Sequence, residues 1–134
     1  MPDFARSCLS GVLSRLKSFT DLTDIVGNKI YTDVPQQTGF PYCVIEMESS
    51  PFQTKDNSVD THSLMVHGFS DKNSPDEALQ IRSQVFNALD RQESNITLSE
   101  GGLVYIETAQ IKDIFKEPDG VIWHSLINFN ILIY

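Results

Sequence analysis

The side chains here that could do chemistry are three histidines, two cysteines and a pair of strand-borne glutamates. A metal ion needs several donors converging at one point. His62 and His67 lie five positions apart on an extended run from Val59 to Ser70, so they point to opposite faces and cannot share an ion. His124 sits in the last extended arm, with no acid or cysteine at ligand spacing. Glu46 and Glu48 share a strand face, as paired carboxylates in acid–base catalysis do. No histidine, aromatic platform or glycine-rich phosphate loop adjoins them in sequence, so they read as a solvated or interface-facing pair. Serine, histidine and aspartate are present without a Gly-x-Ser-x-Gly signature. Gly101-Gly102 lacks the strand, helix and lysine of a phosphate loop. Cys8 and Cys43 lie in apolar patterns and read as small buried hydrophobes rather than a disulfide. Asn95-Ile96-Thr97 matches a glycosylation sequon, but no secretory signal accompanies it. Trp123 reads as core. The expectation is no catalytic residue, no cofactor and no metal: not an enzyme.

The elements that would position these residues follow from periodicity. Phe4, Cys8, Leu9, Val12, Leu13, Leu16 and Phe19 recur at three- and four-residue steps, predicting an amphipathic helix over 3–19. Leu22, Ile25 and Val26 predict a further helical turn, closed by Gly27 in the left-handed conformation. Ile30 and Tyr31 start an extended run, which Pro35, Gly39 and Pro41 interrupt. Tyr42 to Glu48 and Val59 to Ser70 predict strands, the second apolar on both faces and so central. Ser74-Pro75-Asp76-Glu77 reads as a capping box opening a helix to Leu89, with Ala78, Leu79, Ile81, Val85, Phe86 and Leu89 as its buried stripe. Ile96 to Leu98 reads as a short strand.

The last 32 residues form two arms around Glu117-Pro118-Asp119-Gly120, which fits a type I turn with a glycine bulge. Pairing outward from Glu117 opposite Val121 sets Phe115 against Trp123, Ile111 against Ile127, Ala109 against Phe129 and Tyr105 against Ile133. That face is apolar and must be covered by helices. The opposite face carries Thr108, Gln110, Lys112, Asn128 and Asn130, a polar patch turned to solvent, a neighbour or a lumen. Arms of about 15 residues would span roughly 50 Å if straight, far beyond the usual strand. The hairpin must therefore bend through bulges or project with open edges that recruit partners. The predicted fold is α+β: a mainly antiparallel sheet with two main helices packed on one face and a long C-terminal β-hairpin.

At 134 residues, the chain is expected to form a single domain over 1–134, large enough to fold without staples. No apolar run approaches the roughly 20 residues of a membrane span, and no signal peptide is recognisable. The net charge is −8. Residues 1–30 carry four basic and three acidic side chains, which leaves −9 on the remainder. This balance disfavours tight binding to a phosphate backbone. Solubility explains it most simply, although an acidic wall would also keep DNA from sticking in a conduit.

The order of Val26-Gly27-x-x-Ile30-Tyr31, Val34-Pro35-Gln36 and Phe40-Pro41-Tyr42-x-Val44-Ile45 is distinctive in combination. A strand ending near Phe69-Ser70, a helix over Glu77–Leu89 and the Asp119-Gly120 hairpin follow. Together they resemble the tail-completion, or tail-terminator, proteins of long-tailed bacteriophages and related particles. The resemblance covers nearly the whole chain. It implies a structural virion protein, with no catalytic motif to carry over, that forms a hexameric ring at the head-proximal end of the tail tube. Such a ring ends tube polymerisation and joins tail to neck, assembled in the host cytoplasm. The implied partners are further copies of the chain, the tail tube protein and the head-completion (stopper) protein. DNA would pass through without specific binding, and no membrane is involved. Candidate partner contacts are Pro51, Phe52, Lys55 and Asp56 in the 49–58 loop, and Lys116, Glu117, Pro118 and Asp119 at the hairpin tip. Gln110, Lys112, Asn128 and Asn130 are candidates for a lumen or interface. Alternatives are a head-completion stopper, a tail-tube subunit, or a small α+β enzyme or ligand-binding domain.

Overall fold

The structure is a computed structural model that describes residues 4–49, 60–112 and 114–134. Helix α1 spans Ala5–Ser18, and its Cys8, Val12 and Leu16 form a fully buried stripe at four-residue steps. It ends where Phe19 turns extended, and α2 follows directly over Thr20–Val26. Gly27 closes α2 at φ 64° and ψ −135°. The positive φ is as expected, but the residue lies outside the left-handed helical basin.

Strand β1 (Ile30–Tyr31) pairs parallel with β2 (Tyr42–Ser49). β2 runs antiparallel to β3 (Asp60–Ser70). Helix α3 covers Asp76–Leu89, and a 3-10 turn covers Glu93–Asn95. Strands β4 (Leu103–Ile111), β5 (Phe115–Lys116) and β6 (Trp123–Ile133) complete the chain. The sheet order is β1-β2-β3-β6-β4, with β5 also on β6. β3 is therefore central, as its two apolar faces required, and β1 and β4 are the edges of the sheet's main path. The fold is α+β, with a mixed and mainly antiparallel sheet.

All three α-helices among the described residues belong to one core with one face of the sheet. Ile45 of β2, Leu64 and Val66 of β3, Ile106 of β4, and Ile127, Phe129, Ile131 and Ile133 of β6 meet Val12, Leu16, Ile81, Val85 and Leu89. Each fully buried aliphatic side chain contributes about 1.5–3 kcal/mol relative to exposure. The opposite sheet face is built from Val44, Glu46, Met65, His67, Leu126 and Asn128. None of these six is buried.

Several expected details differ. The capping box does not close: Ser74 Oγ accepts from the Asp76 amide at 3.1 Å, but Glu77 turns to Ser70 Oγ (2.8 Å) and Lys72 Nζ (3.3 Å). A nearby buried hydroxyl and a cation outcompete the helix end. Residues 96–98 form no strand; Ile96 is buried as the chain crosses α1.

The hairpin keeps the expected pairing only at Ile111–Ile127 and its neighbour Gln110–Asn128. The turn is one residue longer than expected, with the Glu117 amide donating to Ile122 O at 2.8 Å. Phe115 consequently faces His124, and Lys116 faces Trp123. A bulge between Thr108 and Gln110 shifts the pairing again, and another lies between Leu103 and Tyr105. Because a one-residue slip exchanges faces, Ile106 rather than Tyr105 enters the core. Thr108 leaves the expected polar face for the helix side, where Asp90 Oδ1 accepts from its amide and its hydroxyl, both at 2.8 Å. The long arms are thus resolved by bulging and by an interruption between Ile111 and Phe115, with β6 paired to β3 from end to end.

Candidate functional site

Pro51, Phe52, Lys55 and Asp56 lie outside the described residues. The hairpin-tip candidates are described, and three of the four are engaged internally. Lys116 Nζ stands 5.1 Å from the centre of the Trp123 ring. Glu117 Oε1 lies 2.8 Å from His124 Nδ1. Asp119 Oδ1 accepts from the amides of Val121 and Ile122, at 2.9 and 3.2 Å, and so stiffens the turn. Pro118 is exposed. The tip is thus braced from within and leaves Val121 56% exposed.

Of the polar-face candidates, Gln110 and Asn128 are direct cross-strand partners on the open face. Asn130 is exposed on the same strand, and Asn128 Oδ1 accepts from Ser63 Oγ at 3.3 Å. Lys112 belongs to the interruption after β4. Its amide donates to Leu126 O at 3.1 Å, and its carbonyl accepts from Arg82 of α3.

A feature not anticipated from the sequence lies where α3 meets the β4 edge. Leu79, Arg82, Ser83 and Phe86 face Ile111 and Ile127 across a mainly apolar groove of about 280 Å³. Phe86 is 37% and Ile111 51% exposed, although both were expected on a covered face. Alternation placed Ile111 correctly toward the helices, and helical spacing placed Phe86 on the sheet-facing stripe of α3. Neither could show that α3 ends its cover short of Ile111. Val104, farther along the same edge strand, is also exposed.

On the open face the sheet assembles residues that sequence spacing kept apart. His67 Nδ1 lies 2.7 Å from His124 Nε2. His67 Nε2 lies 3.3 Å from Glu46 Oε1, without hydrogen-bond geometry. The reading that His124 has no acid nearby fails, because β6 and the turn fold Glu117 onto it. Phe69 stacks on His124 at 4.3 Å and Tyr42 stacks on Phe69 at 5.0 Å, while Phe115 covers His124 at 4.6 Å. Burial lowers the pKa of His67 below its ordinary value, against the pull of Glu46 and Glu117. Burial and the charge of His67 lower that of His124, against the pull of Glu117 and Glu46. The His62 and His67 side chains do lie on opposite faces, His62 buried with the helices. Among the described residues no group of three or more His, Cys, Asp or Glu could hold a metal ion. Both cysteines are buried free thiols, their pKa pushed up to about 12 by burial.

An α+β subunit with a half-covered sheet, edges at both ends, a groove along one edge and a braced hairpin tip has the anatomy of a protein that works through its surfaces. Residues 10–134 match the family described as Tail completion protein gp17, and the chain belongs to that family. It is a tail-completion structural protein of a virion. The resemblance carried by the Val26–Ile45 region is therefore confirmed. No curated protein matches the chain. Among solved structures, a chain described as "Virion of native gene transfer agent (GTA) particle" superposes with a TM-score of 0.88 at 18% identity. The alignment covers 99% of this chain and 98% of that one. At this identity the likeness shows the shared fold.

Proposed function

We propose that this protein closes into a ring, with six subunits, on the head-proximal end of a tail tube, ends tube growth there and offers its far face to the head-completion protein. The observation that carries the reading is the family match over residues 10–134. The fold adds physical support. The β1 and β4 edges stand at opposite ends of one sheet, so a contact joining unlike edges is heterologous, and heterologous contacts close into rings when their rotation permits. The α3–β4 groove would receive the neighbouring subunit, burying Phe86 and Ile111. The open face carrying Gln110, Asn128 and Asn130 would border the central hole, where net negative charge lets DNA pass without holding it. The 49–58 loop and the hairpin tip around Pro118 would meet tube or neck proteins. No bond is made or broken in this function, which takes place in the virion after assembly in the host cytoplasm.

Light scattering after size exclusion, alone and with preassembled tubes, tests the reading, together with electron micrographs of both samples. Closed rings, or rings capping tube ends, are expected. A strict monomer at every concentration that also ignores tubes would refute it, and open-ended tubes of this chain alone would make it a tube subunit instead.

A further inference from the structure

The open-face cluster is a chain of four groups and three links: Glu46 to His67 at 3.3 Å, His67 to His124 at 2.7 Å, and His124 to Glu117 at 2.8 Å. The His67–His124 and His124–Glu117 links can each hold one proton between their two heavy atoms, while the Glu46 contact, which lacks hydrogen-bond geometry, becomes an ion pair once His67 Nε2 is protonated. With both carboxylates ionised, two neutral imidazoles bring two ring protons and leave one link empty. In the order His67 Nδ1–H to His124 Nε2 and His124 Nδ1–H to Glu117, the empty link is His67 Nε2 to Glu46. A third proton fills it, making His67 the imidazolium between Glu46 and its neutral partner. A fourth would place two N–H groups head to head across the 2.7 Å contact. Like charges and two donors without an acceptor then drive the rings apart.

The link that fails divides the structure at a definite place. Glu46 is on β2 and His67 on β3. His124 is on β6, and Glu117 directly follows β5. His124 lies beside the last rung of the β3–β6 ladder, Ser70–Trp123. We propose that Glu46, His67, His124 and Glu117 form a proton-limited clasp, which holds the hairpin end (residues 115–124) against β3 while the imidazole pair carries at most one positive charge, and frees it when the pair takes a second. The charged groups facing the pair are Glu46 from β2 and Glu117 from the turn; the neutral rings against it are Phe69 and Phe115. Tyr42, one ring further on, keeps its proton the more firmly through burial and Glu117. Both histidine pKa values are lowered in the fold. The clasp is therefore intact above about pH 6.5, the ordinary histidine value, and is lost as pH falls through the folded-state values. The device belongs to one subunit and does not depend on the ring.

Trp123 is the chain's one tryptophan and sits on that last rung, so the full-length protein carries its own reporter. Emission is followed from pH 8 to 4, with imidazole nitrogen shifts and amide exchange recorded on the same samples. The expected result is an emission step below pH 6.5, in which Trp123 and Ser125 amides lose protection while Ile127–Ile133 keep theirs. The two histidines should titrate as a coupled pair. His124→Gln should abolish the step, and His67→Gln serves equally if that variant does not fold. Glu46→Gln, at an exposed position, should move the step to lower pH. If both imidazoles of the parent protein become doubly protonated while Trp123 and Ser125 stay protected, or titrate independently, the proposal is overturned.

Discussion

Gly68 is where α3 is seated on the sheet, and a single methyl group tests that seating. It lies near the C-terminal end of β3, opposite Cys43 on one side and Ser125 on the other. A Cβ built there would stand 2.7 Å from Ile81 Cγ2 and 2.7 Å from Ser125 Oγ. The two neighbours can yield to different degrees. Ser125 has a short side chain whose oxygen has no hydrogen-bond partner among the described residues, so it turns aside at little cost. Ile81 is β-branched and helical, which leaves one strongly preferred χ1. It is also 1% exposed, so α3 must move. Overpacking of this kind costs about 1–3 kcal/mol. Replacing glycine by alanine at ordinary backbone angles returns about 0.4–1 kcal/mol from the unfolded chain. The packing cost wins, and Gly68→Ala should lose roughly 1–2 kcal/mol, a fall in Tm of roughly 4–8 °C for a chain of this size.

Urea unfolding at pH 7.5, with m held common, measures the loss, and a double-mutant cycle assigns it. Ile81→Ala alone should cost about 2–5 kcal/mol. In that background the added methyl at position 68 fills space instead of colliding, so the coupling between the two sites should be about 1–3 kcal/mol. If Gly68→Ala is neutral or stabilising in the parent, or costs the same in both backgrounds, then α3 does not rest on β3 as described and the groove beside it has no fixed wall.

Asp90→Ala should cost about 1–3 kcal/mol by unfolding, because it strips the shared acceptor from two Thr108 donors, its amide and its hydroxyl; Thr108→Val in the same background should add little. Cys8 and Cys43 should resist an aromatic disulfide reagent at pH 8 until denaturant is added, since burial keeps both thiols protonated; rapid labelling of the native protein would contradict their placement. Phe86→Asp and Ile111→Lys change exposed groove positions, so stability should stay within about 1 kcal/mol, while ring or tube-cap formation in micrographs should be lost; full assembly by both variants would remove the groove from the interface.

Periodicity carried the elements because burial is what periodicity records. The Cys8–Val12–Leu16 stripe, the two-faced β3 and the α3 stripe of Ala78, Ile81, Val85 and Leu89 all stand where spacing put them. Edges and the groove were less legible. Ile111 and Phe86 carry the same apolar signature as core residues, and their exposure depends on how far α3 extends over β4, which neither residue encodes. The capping box failed for a related reason: Ser-x-x-Glu is a local preference, and Ser70 and Lys72 offered Glu77 better partners.

The hairpin shows how little error is needed to hide a site. In an unbulged register with Glu117 opposite Val121, His124 would face Ile114, and Glu117 would lie on the same face as Trp123, among the helices. One extra residue in the turn moves Glu117 opposite Ile122 and Phe115 opposite His124, and so brings a carboxylate and an aromatic ring to the open face together. The bulge after Thr108 then restores the covered face for Ile106 and hands Thr108 to Asp90. These irregularities are not independent defects. Without the bulge Ile106 would turn outward, and Asp90 would lose its partner. Without the longer turn, the imidazole pair would keep Glu46 alone. Pairing of acid and imidazole across this sheet is therefore a property of register, and register in a long hairpin is set by its turn and bulges rather than by which residue types occur in it.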